Sequence, residues 1–255
     1  MTELNLKLSR QGQVYQAPSK KFAETVLLVP FFGAERTNLR RHIDLLNELG
    51  YDCAAFELRD EWLGVPESLF KQRHKITQGH FGLKHIWTDQ IMEILDEIPG
   101  PKILFSFSNP SASAIEAIAR RKAKDISALI ADGGPSGQLW HSMVSFFTHE
   151  QPLKTYPLKA AAAALTAFLW HPRFLAVIHD DLNQFPKGFR ILSIRGWKDK
   201  LISPKMIDMV FEPHKQLEWQ KLSLPHGEHL NGLKDFPEEY RPPVIQFLKE
   251  VSTPV

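Results

Sequence analysis

Cysteine is nearly absent from this chain of 255 residues: Cys53 is the only one. A lone thiol excludes an internal disulfide and fits a reducing, cytoplasmic compartment. Cys53 lies in an apolar, strand-like run and reads as a core residue rather than a nucleophile. An excess of one charge is also lacking. The 31 Lys and Arg nearly balance the 29 Asp and Glu, for a net +2, and they are spread out, so the chain carries no electrostatic footprint for nucleic acid. Long apolar runs are missing too. The most apolar window, residues 160–170, is about half the length needed to cross a bilayer, and His171-Pro172-Arg173 ends it. This predicts no transmembrane segment, and the opening Met1-Thr2-Glu3-Leu4-Asn5-Leu6 has no apolar signal-peptide run. Zinc-type cysteine spacing and phosphate-binding glycine loops are absent. His74, His80 and His85 are too scattered to suggest a metal site.

What is present is an ordinary globular composition, 43% hydrophobic and 24% charged, in a chain long enough to bury one α/β core. Strand and helix patterns alternate over most of its length. Residues 4–8 and 13–16 predict a short opening hairpin. Residues 25–29 form a continuous apolar run, as expected of a strand buried on both faces. Residues 38–49 place Leu39, Ile43, Leu46 and Leu49 on one helical face, with Gly50 as the stop. A strand at 52–58, a long connection at 59–81 and a helix at 83–98 follow. Further strands are predicted at 102–107, 126–130, 190–194 and 216–224, and further helices at 204–211 and 237–251. Residues 133–188 break the rhythm with an alanine-rich run, aromatics and prolines. The expected architecture is α/β, a mostly parallel twisted sheet of about eight strands with helices on both faces. Residues 1–132 and 189–255 would form the core, and 133–188 a small helical cap.

The most informative stretch is Lys102-Ile103-Leu104-Phe105-Ser106-Phe107-Ser108-Asn109-Pro110-Ser111. It reads as a buried strand running straight into a helix. Ser108 stands at the junction, flanked two positions away by Ser106 and Pro110. A sharp strand-to-helix turn strains one residue so that its hydroxyl stands clear, and the flanking residues must be small because strand and helix approach closely. The plain alternative is a serine that caps the helix. Two later segments weigh against it. After the strand at 190–194 comes Gly196-Trp197-Lys198-Asp199-Lys200-Leu201-Ile202-Ser203-Pro204. After the strand at 216–224 comes Pro225-His226-Gly227-Glu228-His229.

The strand order, the elbow, the insert and these two segments together resemble the α/β-hydrolase superfamily over nearly the whole chain. The Gly196 segment is similar to the family's Gly–x–x–Asp–x–x–(Val/Ile)–x–Pro signature and points to Asp199. The last loop resembles its Pro–x–(Gly/Ala)–x–His ending and selects His229. The resemblance implies a cofactor-free serine hydrolase with Ser108 as nucleophile, His229 as base and Asp199 as the acid that orients it. It also implies an oxyanion hole made by the backbone N–H groups of Asn109 and Phe32. His226 competes with His229, Asp132 with Asp199, and Ser111 with Ser108. Where the family has small residues, this chain has Ser106, Pro110 and Phe31. The surplus of large apolar groups in the insert, among them Trp140, Met143, Phe146 and Trp170, suits a small-molecule substrate with an apolar acyl group. The basic cluster Arg120-Arg121-Lys122 is a candidate docking face for an acyl carrier, or a solvated helix end. Ester hydrolysis, thioester hydrolysis and acyl transfer share one triad, so the motif does not choose among them. A hydrolase-like fold serving as a non-catalytic binding protein is the reading from another class.

Overall fold

The computed structural model describes residues 7–59, 82–151 and 153–255. Among these residues seven strands form one sheet in the order β1-β3-β2-β4-β5-β6-β7. They are β1 (Gln13–Tyr15), β2 (Thr25–Val29), β3 (Asp52–Ala55), β4 (Lys102–Phe107), β5 (Ile126–Asp132), β6 (Arg190–Gly196) and β7 (Glu218–Leu224). Only β1 runs antiparallel, against β3; all other neighbours are parallel. The expected count of about eight included a strand at 4–8, most of which lies outside the described residues. Its visible end, Lys7, bridges Gln13 in antiparallel register, as a hairpin requires. β3 is shorter than the expected 52–58, because its ladders to β1 and β2 end at Ala55. The predicted connection at 59–81 falls almost entirely outside the described residues.

Parallel strands need crossovers, and the helices that provide them bury both faces of the sheet. Within β2 the side chains alternate. Val26 and Leu28 face one apolar layer, and Leu27 and Val29 face the other. The first layer holds Cys53, Phe105, Phe107 and Ile194 against α1 (Arg40–Leu49) and α9 (Pro237–Val251). The second holds Leu104, Leu129 and Ile191 against α2 (Leu83–Glu97) and α3 (Ser111–Arg120). Cys53 is fully buried, and burial pushes its thiol up, away from ionisation. The predicted helix at 38–49 starts with a tighter turn, Arg36–Leu39, in which the Asn38 side chain accepts a hydrogen bond from the Glu35 N–H.

Between β5 and β6 the chain forms three helices: α4 (Leu139–His149), α5 (Tyr156–Trp170) and α6 (Phe174–Leu182). After β6 come α7 (Pro204–Phe211), β7, the single turn α8 (Gly232–Asp235) and α9. A buried ion cluster ties α6 to the core. Lys84 on α2 is fully buried and reaches Glu116 on α3 at 2.5 Å and Asp181 on α6 at 2.7 Å. Thr88 donates to the same Glu116 carboxylate, and His85 Nδ1 lies 2.7 Å from its other oxygen. Burial pushes the Glu116 carboxyl up, but the His85 hydrogen bond, Lys84 and Arg120 outweigh it and hold it well below the usual carboxylate range. His85, one of the three scattered histidines, is thus part of this cluster; His74 and His80 lie outside the described residues.

Candidate active site

The C-terminal ends of β2, β4, β5, β6 and β7 converge on one edge of the sheet, where open α/β sheets place their ligand crevices. Ser108 follows β4 directly. It has φ +58°, a left-handed conformation uncommon for a non-glycine residue and strained, as a sharp strand-to-helix elbow requires. Its N–H donates to the Asp132 carbonyl on neighbouring β5, and its own carbonyl accepts from Ser111 as α3 begins. The expected elbow is therefore present, and Ser108 is not inside a helix. Pro110 takes helical angles at the start of α3, where the N–H it lacks has no partner to lose. Ser106 fits within the strand because its hydroxyl donates to the Ile130 carbonyl. Ser111 is the first residue of α3 and fully buried, below the elbow.

The three predicted residues come together. Ser108 Oγ is 3.0 Å from His229 Nε2, and His229 Nδ1 is 2.7 Å from Asp199 Oδ2. The other Asp199 oxygen accepts the backbone N–H groups of Leu201 and Ile202 at 2.7 and 2.8 Å. The aspartate thus folds its own loop around itself and fixes its second oxygen toward the histidine. The loops after β6 and β7 are joined by hydrogen bonds from Trp197 N–H to the Leu224 carbonyl and from Lys198 N–H to the Gly227 carbonyl. The two rival residues stand elsewhere. His226 is exposed on the turn after β7. Asp132 is buried and receives the Tyr240 hydroxyl at 2.7 Å, while the same Tyr240 oxygen lies 3.2 Å from His42 Nε2. Burial pushes the Asp132 carboxyl up to about 7, against the pull of Tyr240 and His229. Burial likewise lowers His42 to about 3, so its ring is neutral and its Nε2–H can donate to Tyr240.

A cavity of about 450 Å³ opens beside Ser108. Its walls are mostly apolar: Phe31, Phe32, Met143, Phe146, Trp170 and Leu230 among them. α4 and α5 supply Met143, Phe146, Thr166 and Trp170, so the helices between β5 and β6 build much of the wall. The rings of Phe146 and Trp170 sit 6.4 and 6.0 Å from that of Phe32. The backbone N–H groups of Phe32 and Asn109, both residues lining this cavity, have no hydrogen-bond partner among the described residues. The Asn109 side chain has a separate task. Its oxygen accepts the Ser136 N–H and its nitrogen donates to Ser142 on α4, which pins the elbow to the following loop.

Two glycines after β5 pack against the site. A Cβ on Gly134 would come within 2.2 Å of the Ser108 carbonyl oxygen, and one on Gly133 within 3.2 Å of His229 Cε1. Gly133 also has φ +63°. Both positions need glycine because the backbone passes directly beneath the serine and the imidazole. Two of the three residues of the basic cluster at the end of α3 are paired internally. Arg120 pairs with Asp89 and Glu116, and Arg121 pairs with Asp96 and Asp125, at the helix end remote from Ser108.

The sheet order, the elbow and the crossovers make this an α/β-hydrolase fold. No protein-family profile matches the sequence, and no curated protein matches it. Solved structures do match in fold. An esterase of Pyrococcus furiosus, Pf2001, shares 17% identity with a TM-score of 0.63, over 98% of this chain and 90% of that one. A thermostable carboxyl esterase from Bacillus coagulans, solved with glycerol, shares 16% identity with a TM-score of 0.66, over 97% of each chain. The mouse alpha/beta hydrolase domain-containing protein 10 shares 13% identity with a TM-score of 0.60, over 96% of each.

Proposed function

We propose that this protein is a cofactor-free serine hydrolase that cleaves an ester or thioester bearing an apolar acyl group. One observation carries the reading: a serine in a strained elbow, 3.0 Å from an imidazole whose far nitrogen is 2.7 Å from a buried carboxylate. Ser108 Oγ attacks the acyl carbon while its proton passes to His229 Nε2. Asp199 holds the Nδ1–H and stabilises the imidazolium that forms. The carbonyl π electrons move to the oxygen, which becomes an oxyanion held by the backbone amides of Phe32 and Asn109. Collapse expels the alcohol or thiol, which takes the proton from His229 and leaves an acyl-serine. Water then repeats the sequence: His229 removes its proton, the second oxyanion collapses, and the carboxylic acid and free Ser108 are released. The apolar cavity takes the acyl group, and the helices between β5 and β6 serve as its cap.

The non-catalytic alternative requires His229 to be out of reach or Phe31 to fill the oxyanion site. The 3.0 Å contact and the open cavity beside Phe31 favour catalysis instead. A fluorophosphonate probe tests the proposal. Wild type should label, and Ser108→Ala should not. On an activated ester, His229→Ala should lower kcat roughly 10⁶-fold, while His226→Ala should leave it near wild type. A wild type that neither labels nor turns over ester would sink the proposal. The reverse behaviour of the two histidine variants would move the base to His226.

A further inference from the structure

The loops that carry the acid and the base are also rich in charge. Lys198 and Lys200 bracket Asp199, and Glu228 precedes His229. These side chains, with His149 and Glu150 from the end of α4, line a second cavity of about 310 Å³. It meets the apolar cavity at Glu150, Leu201 and His229, which line both. The Ser145 hydroxyl on α4 donates to the Lys200 carbonyl and holds that helix against the acid's loop. The two cavities divide the reacting groups. Ser108, Phe32 and Asn109 line the apolar one, whereas His229 alone of the triad lines the second. When an acyl-serine forms, His229 hands its proton to the departing oxygen or sulfur. The leaving group must therefore start at the imidazole, and the second cavity is the space that borders the imidazole but not the serine.

The charges in this cavity are of both signs and are not spent on one another. Lys198 and Lys200 bring ammonium groups, and Glu150 and Glu228 bring carboxylates. None of the four forms an ion pair with a described residue. The imidazole of His149 is a further polar group in the wall. An alkyl alcohol would strip water from these charges and return nothing. A leaving group with a single charge would be drawn to one pair and repelled by the other. One that carries both a cation and a carboxylate meets both pairs favourably.

Resting on the hydrolase reading above, we propose that the second cavity is a subsite for a zwitterionic leaving group. The substrate is then apolar at its acyl end and doubly charged at its alcohol or thiol end. The bond made joins Ser108 Oγ to the acyl carbon, and the bond broken joins that carbon to the leaving oxygen or sulfur. The leaving group departs with the proton from His229, and nothing is oxidised or reduced.

Four secondary esters of octanoic acid test this, because they differ only in their charged arms. O-octanoylcarnitine carries both signs, O-octanoyl-β-methylcholine the cation, 3-octanoyloxybutanoate the carboxylate, and isopropyl octanoate neither. Each kcat/KM is divided by the ester's own rate of hydrolysis in hydroxide, which removes differences in intrinsic reactivity. Wild type should favour the zwitterion over isopropyl octanoate roughly tenfold, at a few-fold per exposed charge pair, and less so as salt rises. Lys198→Gln/Lys200→Gln should lower the ratio of the zwitterion to the β-methylcholine ester roughly fivefold. Glu150→Gln/Glu228→Gln should lower the ratio of the zwitterion to 3-octanoyloxybutanoate by a similar factor. The wild-type series stands by itself should a variant fail to fold, which its thermal transition reports. The proposal is overturned if wild type treats the four esters alike, or if it prefers either singly charged ester to the zwitterion. It is equally overturned if both folded variants keep the wild-type ratios. A wild type that takes up the fluorophosphonate probe but treats the esters alike sinks the subsite and leaves the hydrolase reading standing. One that neither labels nor turns over any of the four sinks both.

Discussion

At the scale of single residues, the site divides into what is written locally and what is not. Ser108, Asp199 and His229 each stand in a short string whose spacing dictates a turn, and each could be picked out before any fold was known. Gly133, Gly134, Tyr240 and His42 could not, because their meaning lies in contacts across the sheet: a backbone under Ser108, a hydroxyl on Asp132, a ring on that hydroxyl. Asp132 shows the difference most sharply. Its position at a strand end makes it a rival acid in sequence, yet its carboxyl faces Tyr240 and not His229. Its raised value has a thermodynamic consequence. Between the ordinary carboxylate value and about 7 the folded chain keeps a proton that the unfolded chain has released. Stability therefore falls as pH rises through that window, and the full cost stands above it. Asp132→Asn keeps an acceptor for Tyr240 and removes the ionisation. The variant should be more stable than wild type by up to about 4 kcal/mol near pH 8, and nearly equal near pH 4. Urea unfolding at a series of pH values reads this directly, and a gap that does not change with pH would contradict it. Ester turnover should persist in Asp132→Asn, whereas Asp199→Asn should lower kcat roughly 10⁴-fold.

At the scale of elements, periodicity and breakers were enough to locate every strand among the described residues, because a parallel strand buried on both faces has an unmistakable apolar run. The ends were less legible. β3 stops where its ladders to β1 and β2 stop, and α1 is preceded by a tighter turn that a side-chain hydrogen bond holds. The least legible element was α6. Its sequence belongs to the irregular insert, yet Asp181 reaches into the core to share Lys84 with Glu116. A lysine on α2 gives no sequence sign that it will be fully buried. Asp181 pairs with that ammonium alone among the described residues, and Glu116 shares it with His85 and Arg120, so removing it leaves buried carboxylate charge undercompensated and should cost more than the cluster contributes as a whole. Lys84→Met, close in volume, should destabilise the protein by about 3–5 kcal/mol, measured by chemical denaturation. Lys84→Arg should recover part of that loss. A loss below about 1 kcal/mol in Lys84→Met would mean that the cluster is solvated in solution and does not clamp α6.

At the scale of the whole molecule, the proposed function draws its chemistry and its selectivity from different stretches of chain. In that function the loops that follow the strands supply Ser108, Asp199, His229 and the amides of Phe32 and Asn109. The helices between β5 and β6 supply Met143, Phe146, Thr166 and Trp170 to the cavity. That separation makes the proposed function testable beyond the triad. A residue that shapes the cavity without touching the reacting atoms should change which acyl chain fits, and a residue that serves the transition state should change the rate on every chain alike. Phe146 is the sharpest probe, since its ring lies against Phe32 and forms part of the wall. Phe146→Ala should lengthen the preferred acyl chain in a series of nitrophenyl esters from acetate to dodecanoate. The ratio of kcat/KM between a long and a short ester should rise roughly tenfold or more, as one or two added methylenes find room. Asp199→Asn should lower the same series nearly in parallel. If Phe146→Ala instead depresses all esters equally, the cavity beside Ser108 does not hold the acyl group, and the leaving group must occupy it.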